Sequence, residues 1–541
     1  MDPDVRVGTV VRVELHGRRV RGWVVADDVE PPAGVQLRPI AKVTGRGPSA
    51  ELVALAHWAA WRWAGRPAQL LHTASPPVAV RELASRTARA PGAATHELAA
   101  DALGRPRSVV RIAPAADRYP LLAAVARARD ALVLAPSVES AARLAARLRR
   151  DGVPVALMPH DWAAAAGRGH VVVGTRAAAW APAPTLGAVV VLDAHDEVYQ
   201  EERAPTWNAW VVAAERAARA GVPCLLVTPC PTPDHLAWGP VFPPSRADER
   251  EGWPVVEVID RRADDPRTGL FSDRLVAALR SGERVVCVLN RKGRARLLAC
   301  TACGELARCD VCGASVSQDA QTLRCAHCGA TRPLVCASCG STRLKTLRAG
   351  VTRVREELEA LAGRSVSEVT GDSAAVPDTP IVVGTEAVLH RVRNAGVVAF
   401  LDFDQELLAP RYRAGDEALA LLVRAARLVG PRRNGGRVLV QTRVPAHDVL
   451  DAAVTADPSA WAAGEAARRT ELGLPPATAM AVVSGEAAGA FVAGVARIDV
   501  QGPADGRYRL RAPDHATLCD ALAAAPRPPG RLRIEVDPLR V

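Results

Sequence analysis

The chain opens with short β-prone runs, Thr9 to Val13 and Arg21 to Val25, cut by the turn residues His16-Gly17 and Pro31-Pro32-Ala33-Gly34. A helical stretch carrying Trp58, Trp61 and Trp63 follows, so residues 1–77 read as a small β-rich module with a helix packed on it. The three tryptophans fit a core better than a stacking platform for bases. Residues 78–107 are rich in Ala, Arg and Pro without a period and read as a linker. Beyond them the pattern changes to unbroken apolar runs, Ala131 to Leu134, Val171 to Val173, Ala188 to Leu192 and Cys224 to Val227, separated by Ala/Arg-rich helical stretches. A second set repeats the theme at Val285 to Leu289, Ile381 to Val383, Val397 to Leu401 and Val438 to Val440.

Continuous apolar strands alternating with helices describe a parallel sheet covered on both faces. The fold class expected is therefore α/β, with two tandem lobes at 108–245 and at 246–296 plus 346–445. A cysteine-rich insertion at 297–345 interrupts the second lobe. An α+β C-terminal domain occupies 446–541 and ends in a strand at Leu532 to Val536.

Composition sharpens this picture in two places. Hydrophobic residues make up 49% of 541, enough for sizeable cores. No stretch approaches the ~20 apolar residues of a membrane span, and Met1-Asp2-Pro3-Asp4 is not a signal peptide, so no membrane association and a cytoplasmic location are expected. The net charge of +11 favours an anionic partner such as nucleic acid, although the excess is mild for this length. Lys42, Lys292 and Lys345 are the only lysines. Arginine elsewhere reads as bias toward GC-rich codons, and a function needing a compact ammonium has three candidates.

Four C-x-x-C-G units carry the most specific chemistry: Cys300 and Cys303, Cys309 and Cys312, Cys325 and Cys328, Cys336 and Cys339, followed by Gly304, Gly313, Gly329 and Gly340. Two residues between thiolates let one turn present both sulfurs, and glycine takes the positive φ that closes it. Eight thiolates supply two closed, structural Cys₄ sites, and the knuckle pattern fits two Zn²⁺ better than iron–sulfur clusters or disulfides. Spacing alone allows three ways of combining the pairs. Cys224, Cys230, Cys287 and Cys519 lie outside the cluster and read as small core residues.

The segment Val288-Leu289-Asn290-Arg291-Lys292-Gly293 leading into the first knuckle resembles the PriA (primosomal protein N′) family of replication-restart helicases. So do the order of the four knuckles, Leu323-Arg324-Cys325, Cys339-Gly340-Ser341-Thr342, Gly174-Thr175-Arg176, Trp180-Ala181-Pro182, Leu474-Pro475-Pro476 and Val536-Asp537-Pro538. The matches run from about 170 to 541. The resemblance implies two RecA-like helicase lobes. It also implies nested zinc sites, with Cys300, Cys303, Cys336 and Cys339 holding one ion and Cys309, Cys312, Cys325 and Cys328 the other. It implies binding to abandoned or stalled forks, primosome assembly and reloading of the replicative helicase through loading partners, by a monomer. Near the start, His16-Gly17-Arg18 and Leu37-Arg38-Pro39 resemble two parts of the family's pocket for a DNA 3′ end. The candidate DNA contacts are therefore Gly17, Arg18, Arg38, Arg176, Arg291 and Lys292. The aromatic–aspartate pair that precedes these parts in the family has no counterpart before His16, and 78–107 is too short for the family's winged-helix module.

The motor motifs depart from the family. A phosphate cradle needs glycines and a lysine, yet Val109 through Leu121 contains neither, and Pro114 and Pro120 remove backbone donors. Where the family has Asp-Glu-Glu-His, this chain reads Asp193-Ala194-His195-Asp196, and Asp193 is expected to cap the next turn rather than bind Mg²⁺. The arginine-finger segment reads Arg424-Ala425-Ala426-Arg427, and the stretch after Gly384-Thr385-Glu386 has Leu389-His390-Arg391 in place of a lysine. The expectation is a fork-binding and loading protein without helicase activity, for which ATP and Mg²⁺ are doubtful. The competing readings are an ATPase with an unorthodox site and a zinc-ribbon scaffold binding protein or RNA.

Overall fold

Runs such as Ala188–Leu192 carry no position suited to water, so each strand must be covered on both faces. Both lobes meet that demand with the same wiring. The computed structural model describes residues 5–540 apart from positions 28, 32, 35, 84–91, 94, 265–269, 291–297, 326–327, 347–350, 370–372 and 374–377. In the first lobe seven parallel strands follow in the chain: Arg107–Arg111, Ala131–Leu134, Val155–Leu157, Val171–Gly174, Ala188–Leu192, Cys224–Thr228 and Val241–Phe242. Numbered by chain position they stand in the order 7-1-6-5-2-4-3. The second lobe has Val255–Asp260, Val285–Val288, Val366–Val369, Ile381–Gly384, Val397–Phe400 and Arg437–Thr442, again parallel, in the order 1-6-5-2-4-3. Apart from the added edge strand the two orders are identical. In both, the loops at the carboxyl ends of strands 1, 5 and 6 gather on one rim, the usual place for a site in an open α/β sheet.

Helices on the two faces are specified locally. Val138–Arg150 begins at Ser137, whose hydroxyl accepts from the Ser140 amide at 3.1 Å, and it carries Glu139 in its first turn and Arg147, Arg149 and Arg150 in its last. Ala209–Ala220 starts at an Asn208 cap and stops at Gly221, whose φ of 66° only glycine adopts freely. These helices pack against opposite faces of the first sheet.

The opening module is a three-stranded antiparallel sheet, Arg18–Trp23, Val10–Leu15 and Lys42–Gly45, with the middle strand central. The strands run closer to the His16-Gly17 turn than the apolar pattern indicates. On a sheet exposed over most of its area, cross-strand pairing rather than burial sets the ends. Trp23 ties this sheet to the helical part through its indole N–H to Ser75 Oγ at 2.8 Å. The helices Ala50–Arg62 and Pro67–Ala74 bury Leu52, Leu55, Leu70 and Trp63 in one core shared with the first lobe and the C-terminal sheet. Trp63 is fully buried, whereas Trp58 and Trp61 are half-buried at its margin. The stretch 78–107, expected to be a linker throughout, contains the helix Glu97–Leu103, whose buried Ala99 and Ala102 pack on the first lobe. Two buried alanines over two turns make no periodic signal.

The C-terminal domain is a four-stranded antiparallel sheet in the order Asp499–Ala504, Arg507–Ala512, Ala479–Ser484, Arg533–Val536, with the helices Ala488–Ala493 and His515–Ala524. Asp537, just past its last strand, accepts from Arg62 Nη2 at 2.6 Å and lies 2.7 Å from His515 Nε2. Burial would raise the Asp537 carboxyl, but Arg62 and His515 hold it well below the usual carboxylate range. This charged knot joins the first and last domains of the chain. Asp537→Ala should therefore lower unfolding stability by about 3 kcal/mol, the scale of a buried cation left without its partner. Asp520→Ala loses only the half-exposed Trp61 contact and should change stability by less than about 0.5 kcal/mol. Thermal denaturation of the two variants beside the parent chain checks the contrast.

Candidate metal centres, nucleic-acid surface and interlobe cleft

The cysteine insertion is built from one repeated turn. In each of the four knuckles the glycine amide donates to the carbonyl of the first cysteine: Gly304 to Cys300, Gly313 to Cys309, Gly329 to Cys325 and Gly340 to Cys336, at 2.9–3.0 Å. The glycine φ values of 71–78° explain the residue at that position. The short antiparallel pair Leu298–Cys300 and Leu344–Thr346 closes the base of the insertion, and Val316–Asp319, Thr322–Cys325 and Thr331–Pro333 form a second small sheet. This folding groups Cys300, Cys303, Cys336 and Cys339 in one cluster and Cys309, Cys312, Cys325 and Cys328 in another, the nested arrangement that spacing left open. Sγ atoms lie 3.5 Å apart for Cys300–Cys339 and Cys303–Cys336, and 3.4 and 3.6 Å apart for Cys309–Cys328 and Cys312–Cys325. Four sulfurs about 2.3 Å from a common tetrahedral centre would be separated by about 3.8 Å. The clusters thus fit two metal ions, and the cysteines are not bridged as disulfides. Ser315 N donates to Leu408 O at 3.0 Å, and Ala299 and Leu306 enter the second lobe's core, so the insertion is seated on that lobe.

The expected nucleic-acid contacts fall into three groups. His16 and Gly17 both have positive φ, 49° and 74°, in a two-residue hairpin turn that places Arg18 opposite Leu15 on the exposed sheet. Arg38 is exposed in the segment before Lys42. The hairpin register adds cations that the family matches did not single out. Arg12 stands directly between Arg21 on one neighbour and Lys42 on the other, and Arg19 lies opposite Glu14. Like charges across strands oppose pairing, and burial followed by Arg12 pulls the Arg21 guanidinium down. Among the described residues no carboxylate forms an ion pair with Arg12, Arg18, Arg19, Arg21 or Lys42. A polyanion would relieve that repulsion. The signal in the sequence was the run Arg18-Arg19-Val20-Arg21 directly after the turn.

Arg176 is placed differently. Its Nη1 donates to Gln200 O at 2.8 Å and Val198 O at 3.1 Å, and its Nη2 pairs with Glu201 at 3.0 Å, so it braces the segment 198–201 of its own lobe. Arg291 and Lys292 lie outside the described residues.

The rim between the lobes holds the third feature. Segments following strands 1, 5 and 6 of the first sheet and the helix Ala414–Val429 of the second lobe enclose a cavity of about 150 Å³. Ala113, Pro114, Asp117, Arg118, Asp193, Thr228 and Arg427 line it. Asp193 is buried, with a φ of 54°, and accepts from Arg118 Nη1 on one oxygen and from Arg427 Nη2 on the other. Burial would raise its pKa, but Arg427 and then Arg118 hold it far below the usual range, so it is a carboxylate. The turn that Asp193 was expected to cap is closed by its backbone carbonyl instead, which accepts from the Asp196 amide at 2.8 Å. Arg427 Nε also reaches Pro114 O at 3.1 Å, and Arg424 pairs with Asp196 at 3.1 Å. Burial pushes His195 down to about 3, leaving it neutral, with Nδ1 3.0 Å from Thr228 Oγ1.

Three backbone donors of this segment are committed within the protein. Ala115 N donates to Gly252 O at 3.0 Å, Ala116 N to Ala113 O at 3.1 Å and Tyr119 N to Asp117 Oδ1 at 2.9 Å, while Pro114 has none. Farther along the same interface Glu417 faces the Glu197 carboxylate and lies 2.5 Å from Arg411. Burial and the Glu197 carboxylate raise Glu417 to about 9 against the pull of Arg411.

Two outcomes follow. Cys303→Ser should lose one equivalent of bound metal and retain the other, as should Cys312→Ser, measured by elemental analysis of purified protein. Glu417 binds its proton more tightly folded, at about 9, than at its ordinary 4.5. Its contribution is therefore complete at acid pH and fades as pH rises toward 9. The melting temperature should fall between pH 6 and pH 9.5, and Glu417→Gln should flatten that fall in a calorimetric pH series.

A family model described as the 3′ DNA-binding domain of PriA matches residues 1–76. The probable replication restart protein PriA of Mycobacterium tuberculosis (strain CDC 1551 / Oshkosh) is 31% identical over 556 residues, covering 90% of this chain and 83% of the relative. The replication restart protein PriA of Bacillus subtilis (strain 168) is 26% identical over 404 residues, covering 66% of this chain. The match spans about half the length of the Bacillus subtilis relative, 50%, and of that from Thermotoga maritima, 46%. Among solved structures, Saccharomyces cerevisiae Dbp5 bound to RNA and ADP BeF3 aligns at a TM-score of 0.37 and 12% identity, covering 70% of this chain and 93% of that one. With two lobes of one strand order, paired Cys₄ clusters in an insertion of the second and a mycobacterial relative matched over most of both lengths, the chain belongs to the PriA family of replication restart proteins.

Proposed function

We propose that this chain serves replication restart as a DNA-binding and loading protein without a motor. It binds abandoned or stalled forks and promotes primosome assembly and reloading of the replicative helicase, acting in the cytoplasm as a monomer. The observation that carries the absence of a motor is the filled cleft. Where an NTPase presents a lysine and free amides to phosphate, this chain has no lysine in 109–121, has the Arg118–Asp193–Arg427 triad, and has the Ala115, Ala116 and Tyr119 amides bonded within the protein. The 150 Å³ cavity is also well below the ~300–1,000 Å³ of ordinary small-ligand pockets. A nucleotide triphosphate would have to displace a buried carboxylate from both of its cations.

DNA affinity is assigned to the N-terminal sheet, where Arg12, Arg18, Arg19, Arg21, Arg38 and Lys42 supply charge for phosphates, and Gly17 permits the turn that carries Arg18. The match to a 3′ DNA-binding domain over residues 1–76 supports that assignment. We assign zinc to both Cys₄ clusters, since all-thiolate tetrahedral sites with no open position suit it. Bound there it would be structural, and the eight cysteines would hold the insertion as a docking surface for DNA or primosome proteins.

The experiment pairs two assays on the metal-replete chain. Titration with a forked DNA carrying a 3′-ended leading strand should show binding, while phosphate release from ATP stays at the DNA-free blank. DNA-stimulated hydrolysis would refute the non-catalytic reading. Arg12→Ala combined with Arg21→Ala should weaken fork binding by about tenfold at low salt and make the salt dependence shallower by about two phosphate contacts. An unchanged slope would remove the sheet from the interface.

A further inference from the structure

The cleft has an arrangement that loss of catalysis alone does not require. A motor that merely decayed would leave arginines from the second lobe facing an emptied site. Here Asp193, at the carboxyl end of strand 5, supplies an anion from within the protein, and cations converge on it from both sides. Arg118 comes from the segment where a phosphate cradle would stand, and Arg427 from the second lobe's long helix. Arg427 spans the cleft a second time, from Nε to the Pro114 carbonyl at 3.1 Å. One turn earlier on the same helix Arg424 reaches Asp196 at 3.1 Å. In NTPases an arginine delivered across such a cleft is drawn by the charge of the transferring phosphate. In this chain a side chain that is always present plays that part.

We propose that the Arg118–Asp193–Arg427 triad, with the Asp196–Arg424 pair, is an internal substitute for nucleotide that holds the two lobes together in one arrangement. This rests on the non-catalytic reading and adds the control of the same site: lobe closure answers to ionic strength and not to ATP. Asp193 is 1% exposed, so its partners cannot be replaced by water without cost. The Arg118 and Arg427 side chains are 25% and 28% exposed, so salt can compete for them at the mouth of the cleft. The N-terminal module, first lobe and C-terminal domain already share a core, and a closed pair of lobes would hold the second lobe and its cysteine insertion in a fixed place against that body. Fork binding would then pay no ordering cost that a nucleotide must first meet.

Amide hydrogen exchange on the full-length, metal-replete chain without DNA tests this. The parent chain, Arg427→Gln, Arg424→Gln with Arg427→Gln, and Asp193→Asn are compared over segments 112–118, 193–199 and 424–430. The expected result is at least tenfold faster exchange at 112–118 and 193–199 in the variants. The strands Ala131–Leu134 and Val397–Phe400 should keep the parent rate, which together with full metal content separates an opened cleft from a misfolded protein. In the parent chain, raising salt from about 0.1 to 1 M, where the Debye length falls to about 3 Å, should accelerate the same two segments without any substitution. A non-hydrolysable ATP analogue with Mg²⁺ should leave them unchanged. Parent-like exchange in Arg427→Gln, with no ATP hydrolysis detected, would overturn the internal lock and leave the non-catalytic reading standing. Protection gained on adding the ATP analogue would overturn both, because a nucleotide would then be closing the cleft.

Discussion

A carboxylate removed from water must be met by positive charge, and in this chain that requirement at Asp193 joins two lobes. Its two oxygens accept from arginines on different lobes, Arg118 on its own and Arg427 on the other, and the Arg427 pair could not form if the lobes stood apart. Burial alone would favour a neutral acid there, and the guanidiniums reverse that preference. Around this charge the cleft is polar but already satisfied. His195 is kept neutral by burial, so it adds no third cation, and Asp196 has its own partner in Arg424. In the segment beside it, the Ala115, Ala116 and Tyr119 amides are bonded within the protein.

The same principle governs the junction of the chain's ends. Arg62, on the last turn of an N-terminal helix, and His515, on a C-terminal helix, meet at Asp537 beside a continuous apolar core. Arg216, fully buried, reaches Glu51 at 2.8 Å and the carbonyl of Ala181 at 2.6 Å, tying the first lobe to the same N-terminal helix. Apolar packing supplies the driving force for this association. The charged knots fix its orientation, since each tolerates little displacement before a buried ion loses its partner. The cysteine insertion is organised separately, by eight sulfurs and four glycine-closed turns, with a small apolar cluster of its own and contacts to the second lobe.

The elements with one-dimensional signatures were legible in the amino-acid sequence. Unbroken valine and leucine runs announce parallel strands because no other setting covers both faces, and both lobes were read from them. The C-x-x-C-G knuckle is a local turn, so its geometry follows from four or five residues, and all four repeats have it. Absence was legible too: no lysine occurs between Lys42 and Lys292. The short helix Glu97–Leu103 and the ends of the first hairpin were not, because two buried alanines or an exposed sheet give no periodic pattern.

What folding in three dimensions decided was partnership. Spacing offered three ways to combine the cysteine pairs, and the antiparallel closure of Leu298–Cys300 on Leu344–Thr346 brings the outer pairs together and leaves the inner ones to each other. Arg427 could be read as the remnant of a motif, but its place between Pro114 O and Asp193, 234 positions earlier in the chain, depends on two lobes that fold and meet. Arg176, matched by motif as a DNA contact, turns inward to carbonyls that sequence cannot place beside it. The cross-strand rank of Arg21, Arg12 and Lys42 exists only once register is set. The sequence by itself determined the strands, the cysteine turns and the absence of glycine and lysine from 109–121, because each is a matter of residue type at short range. Only the tertiary structure decided which charges meet, because an ion pair forms between residues that the chain keeps far apart and the fold brings within about 3 Å.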